Sequence, residues 1–295
     1  AMSPWAQMGY WYSHKADGKG ISGFFDDLLK QFADNEAVPS VVSVSYGMPE
    51  YGVSRTTKRL FEHLAKKLAL RGVTILVASG DDGAASYLAR SNKFGMECWS
   101  VEMLGLQPSW PATSPWVTAV GATVGSALGE QDVVCSVNAT EPSVENISVP
   151  LITSGGGFSE TCTKPPWQEG HHEHKGRGLP DLALNGHAYA TVVGGRWVAI
   201  DGTSAAAPTL GGMVSVINAH LQSKGRPVVG FLNQLIYRNT SRSIFFDVTV
   251  GDNRCAAKGA PCCGGYDAAE GWDPTTGLGV PDFAKLEAAL LAADL

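Results

Sequence analysis

A motif of small residues, from Gly202 to Pro208, constrains the fold more than any other feature of the chain. This Gly-Thr-Ser-Ala-Ala-Ala-Pro motif precedes an apolar run with helical spacing, which comprises Leu210, Met213, Val214, Val216, Ile217 and Leu221. The pattern predicts a buried helix that carries Ser204 in its first turn. Backbone N–H groups at this helix end could stabilise an oxyanion while Ser204 acts as a nucleophile. The alternative is an ordinary N-cap serine, but the complete motif is far more specific than a Thr-Ser pair.

A second segment, Val73 to Asp81, has the pattern of a buried strand that ends in a tight turn with a carboxylate. In open α/β sheets, ligand chemistry lies at the carboxyl ends of the strands. Asp81 is therefore a candidate catalytic residue, with a turn or helix-cap role as the alternative. Because a carboxyl group donates a hydrogen bond only when protonated, Asp81 could serve an oxyanion under acidic conditions.

The Ser204 motif resembles that of the subtilisin-like clan, and the rest of the chain narrows the resemblance to the sedolisins, or serine-carboxyl peptidases. None of the seven histidines stands in the His-Gly-Thr-His setting that supplies the base of subtilisins. Sedolisins use a glutamate base, and they have an aspartate where Asp81 stands. The other segments that resemble the family are Ser43–Gly47, Trp110–Val117, Val120–Thr123, Ser154–Ser159, Pro180–Asp181 and Gly230–Asn233.

The resemblance implies a subtilisin-like α/β fold, in which helices flank a doubly wound and mostly parallel sheet. It also implies that Ser204 is the nucleophile and that Asp81 stabilises the oxyanion. The substrate-binding residues that it implies are Ser45, Tyr46, Gly47, Gly155 and Gly156. The bare backbone of the last two could pair with an extended peptide by strand addition.

The C-terminal loops resemble the calcium site of the same family. The residues that would bind one structural Ca²⁺ are Asp247, Val248, Ala269, Gly271 and Asp273. The aspartates would supply carboxylate oxygens and the other three main-chain carbonyls, which are the hard ligands that Ca²⁺ prefers. Two unrelated loop aspartates are the alternative. A zinc site at residues 171–174, which include three histidines, is disfavoured, because this polar stretch lacks a second ligand pair and is more typical of a solvated loop.

One departure from the family pattern concerns the base. Sedolisins have a glutamate and an aspartate four residues apart, and no glutamate here has an aspartate at the fourth position after it. The first residues, Ala1 to Gln7, resemble the segment that follows this pair. The expectation is therefore a single peptidase domain, residues 1–295, without its N-terminal part and inactive by itself. The acidic pair would lie on a companion N-terminal fragment of the same precursor or on a truncated segment, and a propeptide would precede activation.

The expected activity, by resemblance, is acidic hydrolysis of peptides or proteins through acyl transfer. A carboxylate base has an ordinary pKa of about 4.3, which suits a lysosome, a vacuole or an acidic secretion. The favoured specificity is release of tripeptides from free amino termini. The alternatives are an acidic endopeptidase of the same family and a non-catalytic sedolisin-like scaffold subunit.

Composition excludes other classes of function. A net charge of −6 gives no basic surface for nucleic acid, and no apolar run reaches the length of a membrane span. With 295 residues and 44% hydrophobic content, the chain can bury the core of one large α/β domain. Three glycosylation sequons, at Asn138, Asn146 and Asn239, favour a secretory route.

Six cysteines fit an oxidising environment, but their spacing does not fix the connectivity. Our hypothesis pairs Cys135 with Cys162 around the sequon loop. Cys98 would then pair with one of the three C-terminal cysteines, which are Cys255, Cys262 and Cys263.

Hydrophobic periodicity outlines the elements. The predicted helices and strands are a helix around Phe24–Phe32, a strand Ser40–Ser45, a helix Thr56–Leu70, a strand Thr74–Ala78, a strand Trp116–Val120 and two short strands within Val192–Ile200. Helices that alternate with strands in this way favour a parallel sheet with helices packed on it.

Overall fold

The computed structural model describes residues 3–9, 20–90, 98–125, 131–136, 152–238, 244–256 and 263–293. Its helices are α1 (Gly20–Asp34), α2 (Arg55–Leu70), α3 (Trp99–Leu104), α4 (Thr203–Ser223), α5 (Leu232–Arg238) and α6 (Phe283–Ala292). Its strands are β1 (Val41–Val44), β2 (Met48–Pro49), β3 (Thr74–Ala78), β4 (Ser109–Trp110), β5 (Thr118–Val124), β6 (Val133–Val134), β7 (Gly157–Thr163), β8 (Gly176–Leu179), β9 (Leu182–Asn185), β10 (Tyr189–Val193), β11 (Arg196–Ile200), β12 (Phe245–Phe246) and β13 (Val280–Pro281).

A parallel sheet with the strand order β1-β3-β5-β9 forms the centre of the fold. Val120 pairs with Ala78 on one edge of β5 and with Leu182 on the other, which makes β5 an interior strand. Among the described strands of this sheet, β6, at the end of β5, is the one that runs antiparallel. The expected mostly parallel, subtilisin-like sheet with flanking helices is therefore confirmed.

The two faces of this sheet are covered by different helices because side chains alternate along each strand. On β3, Ile75 and Val77 pack in a core with α1 and α2, whereas Leu76 and Ala78 pack in a second core with α4, α5 and α6. Strand β3 is buried at all five positions, which explains its unbroken apolar sequence. Its carboxyl end then leads directly into the turn that holds Asp81.

Most of the predicted elements form, with shifted ends. The predicted third strand begins at Thr118 rather than Trp116, because the carbonyl of Val117 accepts hydrogen bonds from the side chains of Arg177 and Asn233 instead of from a strand. Strand β9 has no counterpart in the sequence-based prediction. Among the described residues, no helix is both long and apolar enough to span a membrane.

A buried polar network joins the start of β9 to the helices behind it. Arg177 and Asp181 are both fully buried and form an ion pair of 2.5 Å between Nη2 and Oδ2. The hydroxyl of Tyr237 donates to Asp181 Oδ1 over 2.9 Å and accepts from Gln168 Nε2 over 2.9 Å. Asn233 also lies against Asp181, at 3.4 Å. Each buried charge thus has several partners, as burial of charges requires.

One disulfide matches the sequence-based expectation. Cys98 is bonded to Cys263, one of its three expected partners, and Cys255 is also disulfide-bonded. The crosslink connects α3 to the C-terminal loops, which are far apart in sequence. The sequons at Asn138, Asn146 and Asn239 lie outside the described residues.

The expected bond between Cys135 and Cys162 is wrong, since both side chains are thiols. Cys135 Sγ lies 3.9 Å from the carbonyl oxygen of Ile152, next to β6. Cys162 Sγ lies instead 3.8 Å from Oε1 of Glu62 on α2. The two thiols pack against different elements, so proximity to the same loop in sequence did not bring them together.

Candidate active site

A cleft of about 550 Å³ opens at the carboxyl ends of β1 and β3. Its lining includes residues 45–49, which follow β1, residues 78–83, which follow β3, and the first two residues of α4, Thr203 and Ser204. The topology creates this cleft, because parallel strands bring the loops after their carboxyl ends to one edge of the sheet.

Helix α4 begins at Thr203, so Ser204 lies in its first turn, as the sequence predicts. The side chains that anchor this helix to the sheet are buried and comprise Ala206, Ala207, Leu210, Val214, Ile217 and Leu221. Gly202 precedes the helix with a φ of 144°, a conformation that favours glycine. Ser204 remains partly accessible in the cleft, because the buried face of the helix lies on the opposite side.

Asp81 caps this helix from another part of the chain. Its Oδ1 accepts hydrogen bonds from the backbone N–H of Thr203 over 2.8 Å and from the Thr203 hydroxyl over 2.7 Å. Gly202, at the N-cap position, has no side chain for this purpose. The helix-cap role, which was the alternative to a catalytic one, therefore holds for Oδ1 of Asp81.

The second carboxylate oxygen of Asp81 lies near Ser204. A Cβ atom placed on Gly202 would lie 3.4 Å from Asp81 Oδ2, 3.4 Å from Ser204 Cβ and 3.3 Å from the Ser204 backbone nitrogen. Asp81 Oδ2 and Ser204 Cβ are therefore no farther apart than twice 3.4 Å. The structure thus brings the two predicted catalytic residues, which are far apart in sequence, into one cleft.

Ser45 connects the loop after β1 to Ser204. Its hydroxyl donates to the Ser204 carbonyl over 3.0 Å, and the Ser204 hydroxyl donates to the Ser45 carbonyl over 3.5 Å. Tyr46 and Gly47 also line the cleft, and Tyr46 is 57% exposed. Within the described parts of the chain, no imidazole or carboxylate hydrogen-bonds to the Ser204 hydroxyl, so a general base is not in contact with it there.

Gly155 and Gly156, the other predicted substrate-binding residues, are buried beside the cleft rather than on the lining given above. The N–H of Gly155 donates to the Gly80 carbonyl over 2.8 Å. A Cβ on Gly155 would lie 2.5 Å from the Ser79 carbonyl oxygen, and one on Gly156 would lie 2.0 Å from that of Pro274. Their lack of side chains permits this close packing, and strand addition by a substrate at these positions stays a prediction.

Thr203 and Tyr87 are among the cleft residues that are absent from the sequence-based set. Thr203 touches Asp81 through two hydrogen bonds, and Tyr87 lines the cleft with half of its side chain exposed. The signal for Thr203 was present, since it stands inside the motif directly before Ser204. Nothing in the local sequence identified Asp81, 122 positions away, as its partner.

The expected calcium residues lie in two loops that the structure brings together. The N–H of Gly271 donates to Asp247 Oδ2 over 2.8 Å, which joins the loop after β12 to the loop before β13. Asp273 is buried, and its Oδ2 accepts from the N–H of Ala269 over 3.1 Å, while burial raises its pKa. Among the described residues, no group of three or more His, Cys, Asp and Glu side chains is placed to hold a metal. The expected ligand set contains two carboxylates, so its other oxygens would come from the main chain. Asp273 Oδ1 accepts from the N–H groups of Thr275 and Thr276 over 2.9 Å each, and the calcium site stays a prediction.

The histidines of residues 171–174 form part of an aromatic cluster. The His174 ring stacks on Phe158 at 4.3 Å between centroids, and the His172 ring lies 4.8 Å from Trp272. Burial, together with the charge of Lys164, lowers the pKa of His172 to about 4. The cluster fixes the residues before β8 against the loop that contains Asp273, which is a packing role.

Known proteins resemble the chain in sequence and, in one solved structure, in fold. The model of the subtilase family matches residues 16–254. Physarolisin from Physarum polycephalum is 32% identical over 90% of this chain and 52% of its own length, and tripeptidyl-peptidase 1 from Homo sapiens is 33% identical over 98% of this chain and 50% of its own length.

The chain thus spans about half the length of these curated relatives. Among solved structures, the serine-carboxyl proteinase sedolisin from Pseudomonas, in a complex with pseudo-iodotyrostatin, superposes with a TM-score of 0.68. It is 28% identical, and the match covers 92% of this chain and 69% of that one. On these matches and on the convergence of Asp81 with Ser204, the chain belongs to the subtilase family, in its sedolisin branch of serine-carboxyl peptidases.

Proposed function

We propose that the chain carries the nucleophile and the oxyanion acid of a peptidase that hydrolyses peptide bonds at acidic pH. The observation that supports this function most directly is the convergence of Asp81 Oδ2 and Ser204 at the start of α4. Two independent requirements of acyl transfer, a nucleophile and an oxyanion donor, are then met by residues of one cleft. Peptides or proteins are the substrates, and the cleft between residues 45–49 and 78–83 accommodates an extended chain.

In this mechanism, Ser204 Oγ attacks the carbonyl carbon of the scissile bond and gives its proton to a glutamate. That glutamate, together with an aspartate partner, belongs to a companion N-terminal segment of the same precursor, which also carries a propeptide. The protonated Asp81 and the Ser204 N–H donate hydrogen bonds to the oxyanion. The glutamate passes its proton to the leaving amine, and water then cleaves the acyl-enzyme ester and restores the Ser204 hydroxyl.

We propose the release of tripeptides from free amino termini as the specificity, on the basis of the similarity to tripeptidyl-peptidase 1 over 98% of this chain. The second candidate is cleavage within chains, which the similarity to a serine-carboxyl proteinase favours. Asp81 must be protonated to donate a hydrogen bond, and a glutamate base with an ordinary pKa of about 4.3 is already ionised in mildly acidic solution. Both conditions suit a lysosome, a vacuole or an acidic secretion. Without the companion segment, the chain would be inactive.

The decisive test uses the complete gene product, treated with mild acid, and its Ser204→Ala variant. Peptides with free and with blocked amino termini are incubated from about pH 3 to about pH 7, a range that brackets carboxylate titration. We expect turnover below neutral pH that the variant lacks, with tripeptide products from free termini alone. Fragments from blocked peptides would favour the endopeptidase, and the absence of any turnover in the native protein would favour a scaffold subunit.

One structural Ca²⁺ is the proposed cofactor, held by Asp247 and Asp273 together with the carbonyls of Val248, Ala269 and Gly271. The contact between Gly271 and Asp247 supports it, because the two loops already meet. Bound Ca²⁺ would stabilise the folded state and leave the reaction itself to the cleft residues. Chelation should lower the melting temperature of the native protein but not that of an Asp247→Asn variant. Identical melting curves of the native protein with and without chelator would exclude the ion.

A further inference from the structure

We propose that Thr203 is a positioning residue that determines which oxygen of Asp81 carries the catalytic proton. This inference rests on the proposed function, because it concerns the oxyanion acid of that reaction. Thr203 is fully buried, and its hydroxyl is hydrogen-bonded to Asp81 and Gly80. Its effect would pass entirely through the carboxyl group of Asp81.

The direction of each hydrogen bond at Thr203 follows from its neighbours. The N–H of Gly80 donates to Thr203 Oγ1 over 3.3 Å, so this oxygen acts as the acceptor there. The single hydroxyl proton of Thr203 is then directed to Asp81 Oδ1, 2.7 Å away. Since the Thr203 N–H donates to the same oxygen over 2.8 Å, Asp81 Oδ1 accepts two hydrogen bonds from one residue.

This double donation selects a protonation state of Asp81. A neutral carboxyl group has one O–H, and an oxygen that already accepts two donors is the less favourable place for it. The proton therefore resides on Oδ2, the oxygen beside Gly202 and Ser204. Thr203 also prevents rotation of the carboxyl group, so that the O–H stays directed toward the position of the oxyanion.

The same contacts predict how the pH profile depends on Thr203. A hydroxyl that donates to a carboxylate stabilises its ionised form, so removal of the hydroxyl raises the pKa at which the proton leaves. Activity above the pH optimum is lost when Asp81 ionises, because a carboxylate cannot donate to an oxyanion. A variant without the hydroxyl should consequently lose activity at a higher pH than the native enzyme, although its maximal rate is lower.

The test compares Thr203→Val, which has nearly the same shape but no hydroxyl, with Thr203→Ser, which retains it. Both are made in the complete gene product, and kcat and KM are measured across the pH range. We expect Thr203→Val to lower kcat by roughly ten- to a hundredfold, with little change in KM. The alkaline limb of its pH profile, where activity falls as the pH rises, should move to higher pH. Thr203→Ser should stay within about threefold of the native rate with an unmoved limb.

Two results would overturn the inference. One is a Thr203→Val enzyme whose kcat and whose loss of activity at alkaline pH match those of the native enzyme. The other is an equal loss in both variants with no movement of the limb, which a purely structural role predicts. Melting curves identify variants that do not fold, and Thr203→Ala then replaces valine. If the native protein and Thr203→Ser hydrolyse peptides while Ser204→Ala does not, the proposed function stands whatever Thr203→Val shows, so the two failures are distinguishable.

Discussion

Asp81 and Asp181 lie beside strands of the same parallel sheet, yet their surroundings differ completely. Asp181 is fully buried, and its oxygens accept from Arg177, from Tyr237 and from the N–H of Ala119. Asp81 borders the cleft, with Oδ1 held by Thr203 and Oδ2 beside Gly202 and Ser204. A carboxylate paired with a buried cation holds the fold together, whereas Asp81 borders the cleft in which the proposed reaction takes place.

The largest expected effect concerns Asp181, the fully buried aspartate of the two. Asp181→Asn keeps the shape but removes the charge that compensates Arg177, and an uncompensated buried charge costs about 3–5 kcal/mol. We expect the free energy of unfolding, measured in denaturant, to fall by that amount. The matched control is Asp34→Asn, which breaks an exposed pair with Lys67 of 3.4 Å and should cost no more than about 1 kcal/mol. Equal effects in the two variants would show that the Arg177 pair contributes no more than a surface pair.

The second prediction concerns Asp81 and is a change of rate rather than of stability. Asp81→Ala removes the oxyanion donor and should lower kcat by roughly 10²–10³-fold, with a loss of about 1 kcal/mol in stability from the missing helix cap. In Asp81→Asn, the amide oxygen can accept from Thr203 while the amide N–H₂ faces Ser204.

Asp81→Asn should therefore recover part of the rate lost in Asp81→Ala, since its donor does not depend on protonation. It should also lack the alkaline loss of activity that comes from ionisation of Asp81. Measurement of kcat against pH for the three proteins checks both points. If the asparagine enzyme is as slow as the alanine enzyme, with an unchanged alkaline limb, hydrogen-bond donation by this side chain is not its catalytic role.

The sequence predicts well those features that leave a local pattern. Strand β3 and helix α2 appear from periodicity alone, because burial on the two sides of a sheet or on one side of a helix leaves a local pattern. Ser204 and Asp81 appear because each stands at the end of such an element. Local patterns therefore give the elements and the residues at their ends.

Long-range partners leave no local pattern, and this is where the sequence-based analysis fails. Strand β9 has four residues and follows Pro180 and Asp181, so its apolar run is too short to separate from a loop. The hypothesis of a bond between Cys135 and Cys162 used closeness in sequence, whereas Cys162 contacts Glu62, 100 positions away. The Thr203 contact with Asp81 was missed for the same reason.

The smallest expected effect concerns a third carboxyl group, that of Glu62. Burial raises the pKa of Glu62 to about 7, and the charge of Glu50 adds to this, while a hydrogen bond with Ser114 and the charge of Arg177 act against it. Cys162 lies beside it, and burial likewise raises the pKa of that thiol, to about 12. Glu62 thus lies in the field of Arg177, whereas the direct ion pair of Arg177 is with Asp181.

The sign of the pH dependence follows from this shift. Between the ordinary value of 4.5 and about 7, the folded protein holds a proton on Glu62 that the unfolded chain releases, so stability is full below this window and is lost as the pH rises through it. We expect a loss on the order of 2 kcal/mol from Glu62. Denaturant unfolding at several pH values should show a flatter profile for Glu62→Gln than for the native protein. The exposed Glu36→Gln serves as the control, and parallel profiles for the native protein and Glu62→Gln would mean that Glu62 keeps its charge in the fold.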